Sequence, residues 1–520
     1  MKSFLIVTAL CATAFAADQV RVDSGALEGV LNADSSVRIF RGVPFAAPPV
    51  GNLRWQPPQP VQPWEGVRKA DQFGAHCVQG KVFGDIDAPG GMSEDCLNVI
   101  VWAPARAADK PLPVYLWFYG GGFAAGGNSE PRYDGESFAR KGIIVVNANY
   151  RLGVFGFLAH PELTRESPHH ASGNYGLLDQ VAALQWVRKN IGAFGGDPDR
   201  ITIGGESAGS LSVSALMASP LSRALISQAV GESGAFLGNV GGRGMSSLAE
   251  AEKTGAAYAD SIGAKSIADL RAKPADDLLK AAMKTNNGFG FWPIIDGYCL
   301  TEDVSATFAA GKQAQVPMLA GWNADEVRMM VMMNPQKPTA KTFPDQLNKQ
   351  FKERGAEALK LYPAGTDEEA MRSAGDLASD NFIVFSTWKW IDMQAKTGKP
   401  VYRFEFDRGA PISREMAAMA HGAKTFGAVH ASELEYVFNM LRSKKADWEA
   451  DDQKVADTMN EYWANFIRTG DPNGAGLSKW PSFTATREVM HINAESKAAP
   501  EEHRDRYVFL DSLQASARTN

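Results

Sequence analysis

This sequence has few cysteines, few long apolar runs and no large excess of charge of one sign. Four cysteines in 520 residues are too few for a disulfide scaffold, and neither Cys-x-x-Cys nor His-Glu-x-x-His spacing occurs, so we expect no zinc site and no cofactor. Beyond residues 1–16, no stretch supplies the roughly 18 consecutive apolar residues of a membrane span. With 53 Lys and Arg against 59 Asp and Glu, the net charge of −6 argues against a nucleic-acid partner.

The remaining composition is that of an ordinary globular protein. Hydrophobic residues make up 45% of the chain and charged residues 22%, which excludes wholesale disorder, a collagen-like repeat and a coiled coil. No internal repeat or low-complexity tract is present. We therefore predict a soluble globular protein, and the sequence leaves open whether it is a monomer or a homodimer.

The N-terminus has the three parts of an export signal. Lys2 supplies a positive start, residues 4–15 are almost wholly apolar, and Ala14-Phe15-Ala16 provides the small-x-small pattern that a signal peptidase recognises. We predict a signal peptide over residues 1–16 and export to the periplasm or the medium. The alternative is a hydrophobic N-terminus on a cytosolic protein.

Further along, short apolar runs alternate with amphipathic stretches. Residues 18–41 alternate apolar and polar side chains and predict antiparallel strands, while the continuous apolar run 114–119 is typical of a strand buried on both faces. Apolar residues recur at helical spacing over 177–191. This rhythm predicts a largely parallel sheet covered on both faces by helices. Further strands are expected at 143–149, 200–204, 229–230, 316–320 and 402–406, and a helix at 208–217.

Two helix-rich intervals interrupt this rhythm, at about residues 249–284 and 343–390. Glycine and proline separate their helical segments, and no long polar linker sets either interval apart. We therefore expect one domain over residues 17–520, in which the two intervals form a cap over one end of the sheet.

The most informative motif is Gly-Glu-Ser-Ala-Gly at residues 205–209, between a predicted strand and a predicted helix. It matches the Gly-x-Ser-x-Gly turn that presents a nucleophilic serine. Such a sharp turn strains the central residue and crowds the positions two residues away, and glycine at 205 and 209 relieves that crowding. Ser207 would then project from the sheet edge, and the N–H of Ala208 would lie at a helix N-terminus, where negative charge is favoured.

A second glycine motif follows the buried strand 114–119. Three consecutive glycines at 120–122 allow the backbone to approach a ligand closely and to turn its N–H groups inward. This is how an esterase binds the oxyanion of its reaction intermediate. A plain flexible loop is the alternative when this motif is taken alone.

With these motifs in place, the chain resembles the type-B carboxylesterases of the α/β-hydrolase superfamily, the group that includes bacterial para-nitrobenzyl esterases, animal carboxylesterases and cholinesterases. The similarity spans nearly the whole mature chain. It implies the α/β-hydrolase fold, in which helices flank a large, twisted, mostly parallel sheet and helical insertions form a cap. The similar stretches are residues 40–46, 48–51, 53–55, 93–98, 149–153, 173–180, 194–198 and 463–473.

The resemblance implies the rest of the catalytic site. The family's acid lies in a Gly-x-Asn-x-Asp-Glu-Gly segment, which matches residues 321–326 and aligns Glu326, although Val327 replaces the last glycine. The family's base lies in a Gly-x-x-His segment, which matches residues 427–430 and aligns His430. The oxyanion hole would consist of Gly121, Gly122 and Ala208.

From the residues alone, both assignments stay open. Asp325 could orient an imidazole as well as Glu326 could, because the chemistry needs only a carboxylate. His421 also precedes a glycine in a loop and is the main rival of His430. The position in the family motif favours Glu326 and His430.

The same likeness implies structural bonds elsewhere. Cys77 and Cys96 correspond to a family disulfide, which fits an exported protein, while Cys299 would be a buried free thiol. Three buried thiols are the alternative. The resemblance also implies two ion pairs, Arg54 with Glu94 and Arg151 with Asp179.

The family resemblance gives less information about the substrate. Phe289, Phe291 and Trp292 align with the acyl pocket, although ordinary core packing explains them equally well. Choline esters are improbable substrates, because Phe83 is the only aromatic residue of the loop between the paired cysteines. Arg328, Arg408 and Arg414 lie on segments that could approach the pocket, so an anionic ester is conceivable, with solvated surface charges as the default.

We therefore predict an exported serine carboxylesterase that acts on a small-molecule ester through an acyl-enzyme, with Ser207, His430 and Glu326 as its triad. An amidase or peptidase with the same triad is the alternative. A non-catalytic binding protein of the same fold is disfavoured, because Ser207 and His430 are both present.

Overall fold

A mixed β-sheet of eleven strands runs through the chain in the computed structural model, which describes residues 18–84, 86–414 and 423–519. The predicted signal peptide and His421 lie outside these ranges. Within them, none of the helices combines the length and the apolar character that a bilayer crossing requires.

The strands of the large sheet follow the order β16-β15-β14-β13-β12-β11-β9-β10-β8-β4-β3. Pairing is parallel from β10 through β15 and antiparallel towards both edges. The strands are β1 Gln19–Val22, β2 Gly25–Glu28, β3 Val30–Leu31, β4 Val37–Pro44, β5 Val67–Lys69, β6 His76–Cys77, β7 Met92–Ser93, β8 Asn98–Pro104, β9 Leu112–Phe118, β10 Ile144–Ala148, β11 Gly196–Glu206, β12 Gln228–Glu232, β13 Met318–Asn323, β14 Val401–Phe406, β15 Glu488–Ile492 and β16 Lys497–Pro500.

Helices cover the sheet in two layers. The α-helices are α1 Glu136–Ala139, α2 Gly153–Phe157, α3 Pro161–Glu166, α4 Tyr175–Asn190, α5 Ala208–Ala218, α6 Leu248–Ser261, α7 Ile267–Ala272, α8 Ala275–Met283, α9 Val304–Ala309, α10 Arg328–Met333, α11 Thr342–Phe351, α12 Gly355–Leu361, α13 Asp367–Ser379, α14 Phe385–Ala395, α15 Leu434–Val437, α16 Ala450–Thr469, α17 Phe483–Thr486 and α18 Arg504–Thr519. Helices α4, α5, α9 and α14 pack together in one layer, and α1 and α16 form the other.

The apolar runs of the sequence account for the central strands. Every residue of β10 and β13 is buried, as a strand covered on both faces requires. The predicted α/β-hydrolase arrangement, with a mostly parallel central sheet, is confirmed. Of the two helix-rich intervals, the first forms α6 to α8. The second ends in α14, which packs directly on β13 and β14.

The implied disulfide and both ion pairs are present. Cys77 and Cys96 are bonded, with their Cα atoms 5.0 Å apart, and Cys299 is buried and free. Two carboxylates accept from the paired arginines: Arg54 Nη2 lies 2.6 Å from Glu94 Oε2, and Arg151 Nη2 lies 2.7 Å from Asp179 Oδ1.

The Arg151–Asp179 pair is buried, and this burial makes its loss costly. The two side chains are 4% and 0% exposed, and Asp179 also accepts from the backbone N–H of Arg151. Arg151→Met leaves Asp179 without its cation, so we expect the free energy of unfolding to fall by about 3–5 kcal/mol. Urea denaturation measures this change.

Arg414→Met is the matched control, because Arg414 pairs with Asp447 at the surface, where both side chains are more than two-thirds exposed. The control is expected to unfold like the wild type. An equally small effect of Arg151→Met would contradict the account of the buried pair.

Candidate active site

Ser207 lies at the sharp turn between β11 and α5. Its φ of 53° and ψ of −119° are strained for a residue with a side chain. A Cβ atom at Gly205 would collide with the backbone of Gly209, and one at Gly209 would collide with the carbonyl oxygen of Phe118. The two glycines of the motif are therefore needed for the helix to pack this close to the sheet.

Three side chains from distant parts of the chain meet at this turn. His430 Nε2 lies 2.9 Å from Ser207 Oγ, and His430 Nδ1 lies 2.6 Å from Glu326 Oε2. The other carboxylate oxygen of Glu326 accepts from Ser233 Oγ at 2.6 Å and from the Asn323 N–H at 2.9 Å. The backbone N–H of His430 also donates to the Glu326 carbonyl at 2.9 Å, so the two loops are fixed to each other.

The neighbouring carboxylate is engaged elsewhere. Asp325 accepts from the backbone N–H of Ala428 at 3.0 Å and pairs with Arg328 at 2.5 Å. Val327, which stands where the family has glycine, has a φ of −123°, a value open to any residue. The substitution therefore does not disturb the loop.

The glycine loop lies directly against Ser207. A Cβ atom at Gly120 would lie 3.1 Å from the Cβ of Ser207. Gly121 and Gly122 have φ values of 96° and 65°, which a residue with a side chain rarely adopts. Among the described residues, the N–H groups of both glycines lack an acceptor, and Ala208 opens α5, where the first N–H groups have no partner within the helix. These three donors are available to an anion.

Two further buried carboxyl groups surround the imidazole. Glu206 Oε1 lies 3.3 Å from His430 Nε2, and Glu433 Oε2 accepts from Asn323 Nδ2 at 2.5 Å. Burial raises the pKa of Glu206 well above its usual value and the pKa of Glu433 to about 7.

The charge on His430 depends on these neighbours. Burial alone would lower the pKa of His430, but the charges of Glu206 and Glu326 outweigh it and raise that pKa to about 10. The pKa of His430 depends on whether Glu206 is ionised, because a protonated Glu206 no longer attracts the imidazolium. At neutral pH burial favours the protonated form of Glu206. The pKa of His430 is then lower than it would be beside an ionised Glu206.

A cavity of about 570 Å³ opens in front of Ser207. Phe289 and Trp292 line it, as the sequence predicts, whereas Phe291 does not. Phe291 is 4% exposed and packs edge-on against Tyr258, with ring centroids 5.3 Å apart. The rest of the wall is largely apolar and includes Leu211, Val240, Met329, Met330, Phe382 and Ile383.

The three arginines considered from the sequence lie outside this cavity wall. Each pairs with an acidic residue instead: Arg328 with Asp376 at 2.8 Å, Arg408 with Asp452 at 2.7 Å and Arg414 with Asp447 at 3.0 Å. Two other arginines, Arg132 and Arg243, line the cavity. No recognisable motif surrounds either arginine, so sequence reasoning did not single them out.

Comparisons with known proteins agree with this geometry. The model of the Carboxylesterase family matches residues 16–509. The fumonisin B1 esterase of Sphingopyxis macrogoltabida is 37% identical over 91% of this chain and 86% of its own length. The para-nitrobenzyl esterase of Bacillus subtilis (strain 168) is 34% identical over 89% of this chain and 92% of its own length.

A solved structure of PNB esterase superimposes with a TM-score of 0.81 and 31% identity, covering 95% of this chain and 100% of that one. The architecture is that of the α/β-hydrolases. The chain belongs to the carboxylesterase family and is a carboxylic ester hydrolase.

The buried carboxyl cluster predicts how His430 titrates. Above about pH 7 the ionised Glu433 favours the imidazolium, so Glu433→Gln should lower the pKa of His430 by about one pH unit. NMR of ¹³C-labelled histidine, followed against pH, measures this change. Glu449→Gln, at an exposed carboxylate paired with Arg408, is the control and should leave the titration unchanged. An unaltered titration of His430 in Glu433→Gln would refute the coupling.

Proposed function

We propose that this protein hydrolyses carboxylic esters through an acyl-enzyme, with Ser207 as nucleophile, His430 as general base and Glu326 as the residue that orients the imidazole. The observation that carries the proposal is the hydrogen-bonded series Ser207 Oγ, His430 Nε2, His430 Nδ1 and Glu326 Oε2, with contacts of 2.9 and 2.6 Å. Nucleophile, base and orienting acid in this relation are the requirement for acyl transfer.

In the first half-reaction, Ser207 Oγ attacks the ester carbonyl carbon while its proton passes to His430 Nε2. The carbonyl oxygen becomes an oxyanion and accepts from the N–H groups of Gly121, Gly122 and Ala208. Such preorganised donors stabilise the developing charge because they require no reorientation when it appears. The alkoxide then leaves with the proton held by His430, and the acyl group remains on Ser207.

In the second half-reaction, water attacks the acyl-enzyme. His430 accepts a proton from the water and returns it to Ser207 Oγ as the carboxylic acid is released. Glu326 keeps its position throughout, because Ser233 and Asn323 donate to the oxygen that His430 does not contact. It holds the imidazole in the tautomer that carries hydrogen on Nδ1.

We also propose that the protein acts outside the cytoplasm. The signal-like N-terminus is one support. The Cys77–Cys96 disulfide is a second, independent one, because such bonds persist mainly in oxidising compartments.

The nucleophile assignment predicts that Ser207→Ala lowers kcat for para-nitrophenyl butyrate by at least about 10⁴-fold while the protein stays folded. Circular dichroism and the turnover rate are measured together. Ser214→Ala is the control, since Ser214 is a buried serine on the same helix that bonds to the Leu211 carbonyl and lies outside the cavity wall. Near wild-type turnover by Ser207→Ala would rule the assignment out.

The localisation proposal predicts that full-length protein expressed in a Gram-negative host is recovered in the periplasm or the medium. Its N-terminus, determined by mass spectrometry, should be Ala17, because the export signal is removed after Ala16. Protein that remains in the cytoplasm with residues 1–16 intact would contradict export.

A further inference from the structure

One cation in the wall of the active-site cavity has no counter-ion among the residues that the structure describes. Arg243 lines the same cavity as Ser207. Of the described residues, none places a carboxylate oxygen within 4 Å of its guanidinium. Arg132, the other arginine of the wall, differs, because its Nε lies 3.0 Å from Glu130 Oε2.

The Arg243 side chain is held in place by neutral groups. Its Nη1 donates to the carbonyl of Phe289 at 2.7 Å, and its guanidinium lies 5.1 Å from the Trp292 ring. The backbones of Arg243 and Val240 are bonded to each other in both directions, at 2.9 and 3.0 Å. The Nη1 end of the guanidinium is therefore held in place. Within the described part of the chain, its Nη2 has no hydrogen bond shorter than a long contact of 3.5 Å with the Gly290 carbonyl.

Arg243 is half-buried, and partial burial of a cation is unfavourable without an anion. Desolvation lowers the pKa of Arg243 from its usual value, although an arginine remains charged at any physiological pH. The other carboxyl groups of the wall are engaged, since Glu326 contacts His430, Glu130 contacts Arg132, and burial favours the protonated form of Glu206. A guanidinium with free donors in an apolar wall fits a carboxylate that enters with the substrate.

We propose that Arg243 binds a carboxylate on the acyl portion of the ester, so that the preferred substrates are monoesters of dicarboxylic or polycarboxylic acids. This inference rests on the proposed function, because it assumes that the ester carbonyl is attacked by Ser207. The basis for an anionic substrate is therefore Arg243, which lines the cavity, and not Arg328, Arg408 or Arg414.

The position of Arg243 relative to the catalytic groups favours the acyl side. The leaving oxygen must lie near His430, because His430 protonates it. Arg243 is bonded instead to the Phe289 backbone, and the Phe289 ring lies where a Cβ atom of Gly122 would be. Gly122 belongs to the proposed oxyanion loop, so the Phe289 segment lies next to the place of the ester carbonyl. We take this to be the side of the carbonyl that is farther from the imidazole. The acyl chain would extend on that side.

The test compares pairs of esters that differ only in the carboxylate. Hydrolysis of methyl hydrogen glutarate and methyl hydrogen adipate is followed by pH-stat beside methyl pentanoate and methyl hexanoate. The wild type should favour the anionic member of a pair in kcat/KM. In Arg243→Met, kcat/KM for the anionic ester should fall by about 10- to 100-fold, mainly through KM, while the neutral ester is hydrolysed at a similar rate.

Two controls separate charge from folding. Arg243→Lys should retain part of the preference, because it keeps the charge but loses the two-pronged donor. Arg414→Met, at an exposed arginine outside the cavity wall, should retain all of it. Free glutarate should also inhibit methyl pentanoate hydrolysis by the wild type competitively, a readout that needs no variant.

Three results would overturn the anion site. The first is an equal loss of activity on the neutral and anionic esters in Arg243→Met, and the second is a wild type with neither an anionic preference nor inhibition by glutarate. The third is a preference only when the carboxylate is on the alcohol, as in the acetate ester of 4-hydroxybutanoate. In all three cases the wild type still hydrolyses esters, so the proposed function is not contradicted. A wild type that hydrolyses none of the esters would contradict both.

Discussion

The strained turn at Ser207 is the constraint on which the rest of the site depends. Strand β11 must reverse into α5 so tightly that only glycine fits at 205 and 209, where side chains would strike the backbone of Gly209 and the carbonyl of Phe118. The same closeness sets the first N–H groups of α5 beside the glycine loop that follows β9. Nucleophile and anion donors are thus positioned by one packing contact between helix and sheet, and the loops after β13 and β14 bring the acid and the base to it.

The electrostatics of the site follow from burying several carboxyl groups around one imidazole. Glu206, Glu326 and Glu433 all act on His430, and they cannot all be ionised at low cost in so dry a place. Glu326 receives two hydrogen bonds besides its contact with His430, and these fix the position of its carboxylate. Burial raises the pKa of Glu206 well above its usual value and the pKa of Glu433 to about 7, so both carboxyl groups ionise less readily than an exposed glutamate does.

Much of this arrangement was predictable because it depends on local sequence patterns. Continuous apolar runs predicted the central strands, and the spacing of Gly205, Ser207 and Gly209 predicted the turn. Strands β15 and β16, at one side of the sheet, were not singled out, since they are only partly buried and their apolar patterns are weaker. Strand β8 was also not singled out, although almost all of it is buried. For Phe291 the sequence left pocket lining and core packing equally open, and Arg243 was not singled out. Which side of a loop faces a cavity depends on tertiary packing, and residue spacing does not determine it.

The most direct test of the central claim is covalent labelling with a fluorophosphonate, followed by peptide mass spectrometry. A serine activated by His430 displaces fluoride and is trapped as a tetrahedral phosphonyl adduct beside the anion donors. The account predicts one adduct per chain, on Ser207, with loss of ester hydrolysis in proportion to labelling. Hydrolysis that persists in fully labelled protein, or an adduct that forms on another residue as activity is lost, would contradict it.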